Sequence, residues 1–249
     1  MARLLVIDPL QMNCSTGDGG SSWSTREWFE RALSSMEGVA FEILVADDPN
    51  VCSKVLEADG VVLGGSERSA WEDCGFNDQL LDLIALCKHN QIPFLGICFG
   101  AQLLGRALGG RVERHPDGIE LGAMRIELTE AGKNHFLFHG LRKGHFKSIE
   151  THQDAVLYLP SGCSLLAYTE HTKTQAFAYG DLMFGVQFHP EMNGKDLKNL
   201  WEGWVQMGEI EAVPSAYRET IEGCECAEMP LILRNFVERV KVGVASLVE

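Results

Sequence analysis

Ile92-Pro93-Phe94-Leu95-Gly96-Ile97-Cys98-Phe99-Gly100-Ala101-Gln102-Leu103-Leu104 joins an apolar run, a glycine-flanked cysteine and the start of an amphipathic run. The pattern predicts strand, sharp turn and helix, with Cys98 at the turn. It is a G-x-C-x-G form of the nucleophile elbow. Glycines on either side allow a tight backbone path and close approach of a substrate. The thiol falls at a helix N-terminus, where the macrodipole favours thiolate, and a thiolate there can attack a carbonyl carbon.

Outward from the elbow, apolar strands alternate with helical patterns. Leu4-Leu5-Val6-Ile7, Phe41-Glu42-Ile43-Leu44-Val45 and Gly60-Val61-Val62-Leu63-Gly64-Gly65 read as strands. Residues 25–36 and 77–90 read as helices, the second with Leu80, Leu83, Ile84 and Cys87 at i, i+3, i+4, i+7 spacing. Buried strands alternating with helices predict an α/β fold on a mostly parallel sheet. After Gly110 the strand-like runs are shorter: residues 111–114, 124–128, 165–168, 174–179 and 182–188. Tyr179-Gly180-Asp181 reads as a hairpin turn, so this half is expected to add antiparallel strands. From Gly194 the pattern is helical. No linker rich in Pro, Gly and Ser divides the chain. One domain is expected over 1–249, with a core at about 4–193 and a helical extension at 194–249.

The chain has 249 residues, 45% of them hydrophobic, and a formal net charge of -14. Such an acidic chain argues against a nucleic-acid surface and against docking on an anionic membrane. The apolar start, Leu4-Leu5-Val6-Ile7, ends at Asp8 and is too short for a signal peptide. No apolar segment is long enough to span a bilayer. The eight cysteines are scattered. They read as reduced thiols, and the cytoplasm is the expected location. Cys224-Glu225-Cys226 lacks neighbours to complete a four-ligand metal set, so no metal or other cofactor is expected.

A cysteine nucleophile needs a base, and the base an orienting group. Phe188-His189-Pro190-Glu191 supplies both. Residues two apart on an extended chain face the same side, so Glu191 can fix the His189 tautomer. The two segments would meet at the carboxyl ends of neighbouring strands, where open α/β sheets place ligands. An oxyanion hole would come from the backbone N–H of Phe99 and from the Gly64-Gly65 turn. The glycine-rich loop at 13–22 lacks the phosphate-loop form and reads as a lid or partner-contact loop.

Taken together, Cys98 in its elbow, His189 and Glu191 after a strand, and the Gly64-Gly65 turn resemble the class I (triad-type) glutamine amidotransferase family. The resemblance covers roughly residues 4–193 and is to a stand-alone domain similar to the glutaminase domain of GMP synthase. It implies a three-layer, flavodoxin-like α/β fold. It also implies roles: Cys98 attacks the γ-amide of glutamine or a γ-glutamyl compound, His189 acts as base and acid, and Glu191 orients it. Gly65 and Phe99 N–H groups would hold the oxyanion. Gln102 would contact substrate, and Thr151-His152-Gln153-Asp154 resembles the segment that lines the α-amino and carboxylate pocket. Two departures stand out. Ser66 replaces a frequent proline, and Gln153 replaces a glycine, which bears on the substrate more than on the chemistry. The ammonia would pass to a partner synthase. The alternatives are a stand-alone γ-glutamyl peptide or amide hydrolase, a non-catalytic module on the same fold, and, more distantly, a cysteine protease.

Overall fold

The computed structural model describes residues 1–9, 25–141, 144–207, 226 and 228–246. The 13–22 loop and Cys224 lie outside them. The first half alternates as expected: β1 (Ala2–Asp8), α1 (Thr25–Leu33), β2 (Val39–Val45), α2 (Val51–Glu57), β3 (Gly60–Leu63), α3 (Gly75–His89), β4 (Phe94–Ile97) and α4 (Phe99–Ala107). The second half is strand-rich: β5 (Arg111–Arg114), β6 (Glu120–Leu128), α5 (Glu130–Lys133), β7 (His145–His152), β8 (Asp154–Tyr158), β9 (Cys163–Tyr168), β10 (Ala176–Tyr179) and β11 (Met183–Val186). Helices α6 (Gly194–Met207) and α7 (Pro230–Ser246) follow.

A nine-stranded sheet runs in the order β2-β1-β3-β4-β11-β10-β9-β6-β7. Strands β2, β1, β3, β4 and β11 pair in parallel. Beyond β11 every pairing is antiparallel. The β10–β11 hairpin turns through Gly180 at φ 59°. Strands β5 and β8 form a separate antiparallel ribbon.

The apolar runs follow from position in this sheet. β3 and β4 are buried at every residue, as central parallel strands covered on both faces must be. Along β1 the side chains alternate between two cores. Leu4 and Val6 pack with Phe29 of α1 and Phe236 of α7 on one face. Leu5 and Ile7 pack with Val55, Leu80, Ile84 and Leu103 from α2, α3 and α4 on the other. Helix–sheet–helix is therefore the layering, a three-layer α/β fold. Edge strand β2 shows mixed burial. Among the described residues no helix is long and apolar enough to cross a membrane.

Cys52, Cys74, Cys87, Cys98 and Cys163 are free thiols. Cys226 is disulfide-bonded, so the reading of all eight as reduced fails at that position.

Candidate active site

Three neighbouring strands deliver three segments to the carboxyl end of the sheet. β3 ends at Leu63 before Gly64-Gly65, β4 at Ile97 before Cys98, and β11 at Val186 before His189. Cys98 has φ 51° and ψ −107°, a region that costs a non-glycine residue about 1–3 kcal/mol. Its neighbours hold it there. The Cys98 N–H donates to Val186 O at 2.8 Å, Gln102 N to Cys98 O at 3.0 Å, and Gly100 N to Gly64 O at 3.2 Å. The elbow glycines are steric necessities. A Cβ on Gly96 would lie 2.4 Å from Gly100 O, and one on Gly100 would lie 2.2 Å from Leu63 O.

His189 is buried, and its Nδ1 hydrogen-bonds Glu191 Oε1 at 2.7 Å. Its backbone N–H is anchored on Ile149 O at 3.0 Å. Burial alone would push the ring's pKa down. The Glu191 carboxylate and then the Cys98 thiol group oppose this, and the ring ends well above the ordinary histidine value. With Nδ1 engaged by Glu191, Nε2 is the nitrogen that can exchange a proton; it is buried and has no hydrogen-bond partner. A Cβ on Gly65 would meet His189 Cε1 at 3.0 Å and Cys98 Cβ at 3.6 Å, so this backbone lies directly against both groups. The Gly65 and Phe99 amides donate no backbone hydrogen bond among the described residues.

Arg31 of α1 clamps the segment after His189. Its Nη2 donates to Glu191 O at 3.1 Å, and its Nη1 donates to Asp196 Oδ1 at 3.0 Å. Asp196 Oδ2 accepts from Asn193 N at 2.7 Å. The chain between the histidine and α6 is thereby fixed from both sides.

A cavity of about 310 Å³ opens over Cys98 and His189, at the lower end of the range for small-molecule pockets. Gly65, Gln102 and the whole 151–154 segment line it. The Gln102 amide nitrogen donates to Asp154 O at 2.8 Å and to Gln187 Oε1 at 3.2 Å. Asp154 Oδ2 accepts from Trp71 Nε1 at 3.0 Å, while Oδ1 is buried without a partner. Thr151 and His152 close β7 and Asp154 opens β8, so the segment is sheet rather than a solvated loop; Gln153 alone is exposed. The side chain at this family-glycine position therefore stands at the rim.

The His152 ring turns into a buried polar cluster. Nδ1 contacts Asp154 O at 3.0 Å, and Nε2 lies 3.2 Å from Glu120 Oε2 and 3.3 Å from Glu150 Oε2. These three side chains are the group among the described residues with metal-ligand spacing. Glu120, however, already accepts from Thr169 at 2.7 Å and Gln175 at 2.8 Å. Burial opposes charge on the His152 ring, but the two carboxylates overcome it and raise the pKa to about 10. Its positive charge therefore steadies the Asp154 carbonyl, which also receives Gln102.

Glu150 is fully buried, and although the His152 ring lies 3.3 Å from its Oε2, burial outweighs that attraction and raises its pKa from 4.5 to about 7. The unfolded chain ionises this carboxyl near 4.5 and the folded chain only near 7. The stability held with the proton on is lost as pH rises through that window, by at most about 3 kcal/mol. His152 stays protonated throughout it. The stability difference between Glu150→Gln and the parent is expected to move in favour of the variant from pH 5 to pH 8. Urea unfolding at both pH values measures it; an unchanged difference would contradict the assignment.

With the geometry in place, comparison with known proteins is informative. The family model for class-I glutamine amidotransferases matches residues 23–201. The chain belongs to that family. It is 37% identical over 157 residues to γ-glutamyl peptidase 5 of Arabidopsis thaliana, covering 61% of each chain. It is 34% identical over 151 residues to one of the subunits of the glutamine-hydrolysing GMP synthase of Sulfolobus acidocaldarius, covering 60% of this chain and 76% of that one. The matched stretch spans about three fifths of the length of the first curated relatives. A solved glutamine amidotransferase from Thermotoga maritima superposes with a TM-score of 0.71 at 26% identity, covering 96% of this chain and 97% of that one.

Amidotransferase membership frames what reading the sequence missed. Glu120, Glu150, Arg31, Trp28 and Trp204 all border or brace the site. The one local hint was a run of polar residues, Ser148 and Glu150, inside what proved to be a buried strand.

Proposed function

We propose that this amidotransferase hydrolyses the γ-amide bond of glutamine or of a γ-glutamyl compound through a thioester on Cys98. The observation that carries the reading is the convergence of Cys98 and His189 on one cavity beside the Gly65 backbone, with Glu191 on the far nitrogen of the His189 ring. Cys98 Sγ, its proton passed to His189 Nε2, attacks the γ-carbonyl carbon. The Gly65 and Phe99 N–H groups receive the developing oxyanion. The C–N bond breaks, and His189 returns the proton to the leaving nitrogen. Water, deprotonated by His189 Nε2, then attacks the thioester, and the proton returns to the departing Cys98 sulfur, freeing glutamate and the thiol. Gln102, Thr151, His152, Gln153 and Asp154 form the amino-acid end of the pocket; the unpaired Asp154 Oδ1 suits the substrate's α-ammonium group.

Two sources of the leaving nitrogen remain, and each has a relative to support it. The GMP synthase relative supports ammonia from glutamine, delivered to a partner synthase. The γ-glutamyl peptidases support an amine or amino acid.

The test is release of glutamate from glutamine and γ-glutamyl compounds, with mass-spectrometric mapping of an electrophilic glutamine analogue. Label is expected on Cys98 ahead of Cys52, Cys74 and Cys163. Glu191→Gln is expected to lower turnover about 10²-fold while Cys98 still labels. Label elsewhere, no glutamate from any γ-glutamyl compound, or full turnover in the Gln variant would overturn the respective assignments.

A further inference from the structure

The cavity has two unlike walls. Gln102 and the 151–154 segment give the polar one. The other stands on the His189 side, the side on which the leaving nitrogen must receive its proton. Met192 lies three residues after the histidine and bonds back to it, N to His189 O at 3.4 Å. Leu200 and Trp204 come from α6, which follows directly, and Trp28 of α1 packs with them. All four line the cavity.

Ammonia gains nothing from such a wall, being small and strongly hydrated. An apolar group gains by leaving water there, and binding energy from a part of the substrate remote from the reacting bond can be spent on the reaction. One cation borders the same wall. Trp204 Nε1 donates to Glu67 Oε1 at 2.7 Å, which ties the loop after Gly65 to α6. The next residue, Arg68, also lines the cavity. Its guanidinium lies over the Phe76 ring, 4.5 Å from the centroid, and among the described residues it makes no ion pair.

We propose that the preferred substrate is a γ-glutamyl dipeptide with a bulky apolar second residue, its side chain on Trp28, Leu200 and Trp204 and its carboxylate on Arg68. This rests on the γ-glutamyl hydrolase reading above and specifies its leaving group. The scissile γ-C–N bond is replaced by the Cys98 thioester, and the amino acid leaves with the proton from His189. Water then completes hydrolysis to glutamate, so no co-reactant beyond water is required.

The test compares kcat/KM of the full chain on γ-glutamylphenylalanine, γ-glutamylglycine, γ-glutamylphenethylamide and glutamine. γ-Glutamylphenylalanine is expected to exceed both γ-glutamylglycine and glutamine by about tenfold or more, the scale on which a filled apolar pocket discriminates. Trp204→Ala and, as a milder change, Leu200→Ala should each reduce the phenylalanine-to-glycine ratio. Arg68→Met should reduce the ratio of γ-glutamylphenylalanine to γ-glutamylphenethylamide, which lacks the carboxylate. Calorimetry on Cys98→Ala should rank the ligands in the same order without turnover. Glutamine or γ-glutamylglycine as the better substrate, or ratios unmoved by all three variants, would overturn the proposal and leave the hydrolase reading standing. No cleavage of any γ-glutamyl compound would overturn both.

Discussion

Cys98→Ser is expected to lower kcat/KM for γ-glutamyl hydrolysis by about ten-thousandfold or more, the scale seen when a covalent nucleophile is removed from an intact site. The expectation rests on protonation as much as on size. A thiol beside His189 can exist as thiolate with an imidazolium, whereas a serine hydroxyl must lose a far more tightly held proton. Serine fits the space of the thiol, and the backbone at φ 51° is imposed on it by the same hydrogen bonds. Stability should therefore stay within about 0.5 kcal/mol of the parent, as for substitutions that break no packing. Glutamate release and urea unfolding on the same preparation separate the two effects. Retained hydrolysis would remove Cys98 from the reaction, and an unfolded variant would show that the thiol holds the elbow together.

Gly100→Ala is expected to be severely destabilising, costing about 3 kcal/mol or more. The added carbon would sit 2.2 Å from Leu63 O and 3.0 Å from Leu63 C. These are backbone atoms of a central strand and cannot rotate away. Either α4 shifts off β3 or the elbow unwinds, and both separate Cys98 from Gly65. Gly75→Ala supplies the control, since nothing lies within 4 Å of a Cβ there and the position opens α3. It should be neutral or slightly stabilising. Denaturant midpoints would show the contrast; equal midpoints would mean the elbow tolerates a side chain.

The parts of the fold legible in the sequence are those whose burial is apolar and whose geometry is local. The elbow is read from three residues, Gly96, Cys98 and Gly100, over five positions. The His189–Glu191 pair is read from the two-residue strand period. Less legible were α2, which buries only Val51 and Val55, and β7, which buries Ser148, Glu150 and His152. One apolar pair is too little signal for a helix. A strand that buries polar side chains has no apolar alternation to detect. The reason it can do so is non-local: antiparallel register sets His152 opposite Glu120, and nothing near either residue announces the other. The apolar wall was hidden differently. Trp204 reads as an ordinary amphipathic helix residue until α6 is laid beside the cavity.

The elbow is shut by carbonyls from two other places in the chain, Gly64 after β3 and Val186 at the end of β11. A chain still emerging from the ribosome has the cysteine long before it has residue 186. Until β11 docks beside β4, Cys98 lacks the Val186 half of its backbone clasp and the neighbouring histidine. If Cys98 is the nucleophile proposed above, order of synthesis would keep it an ordinary thiol until the sheet is finished.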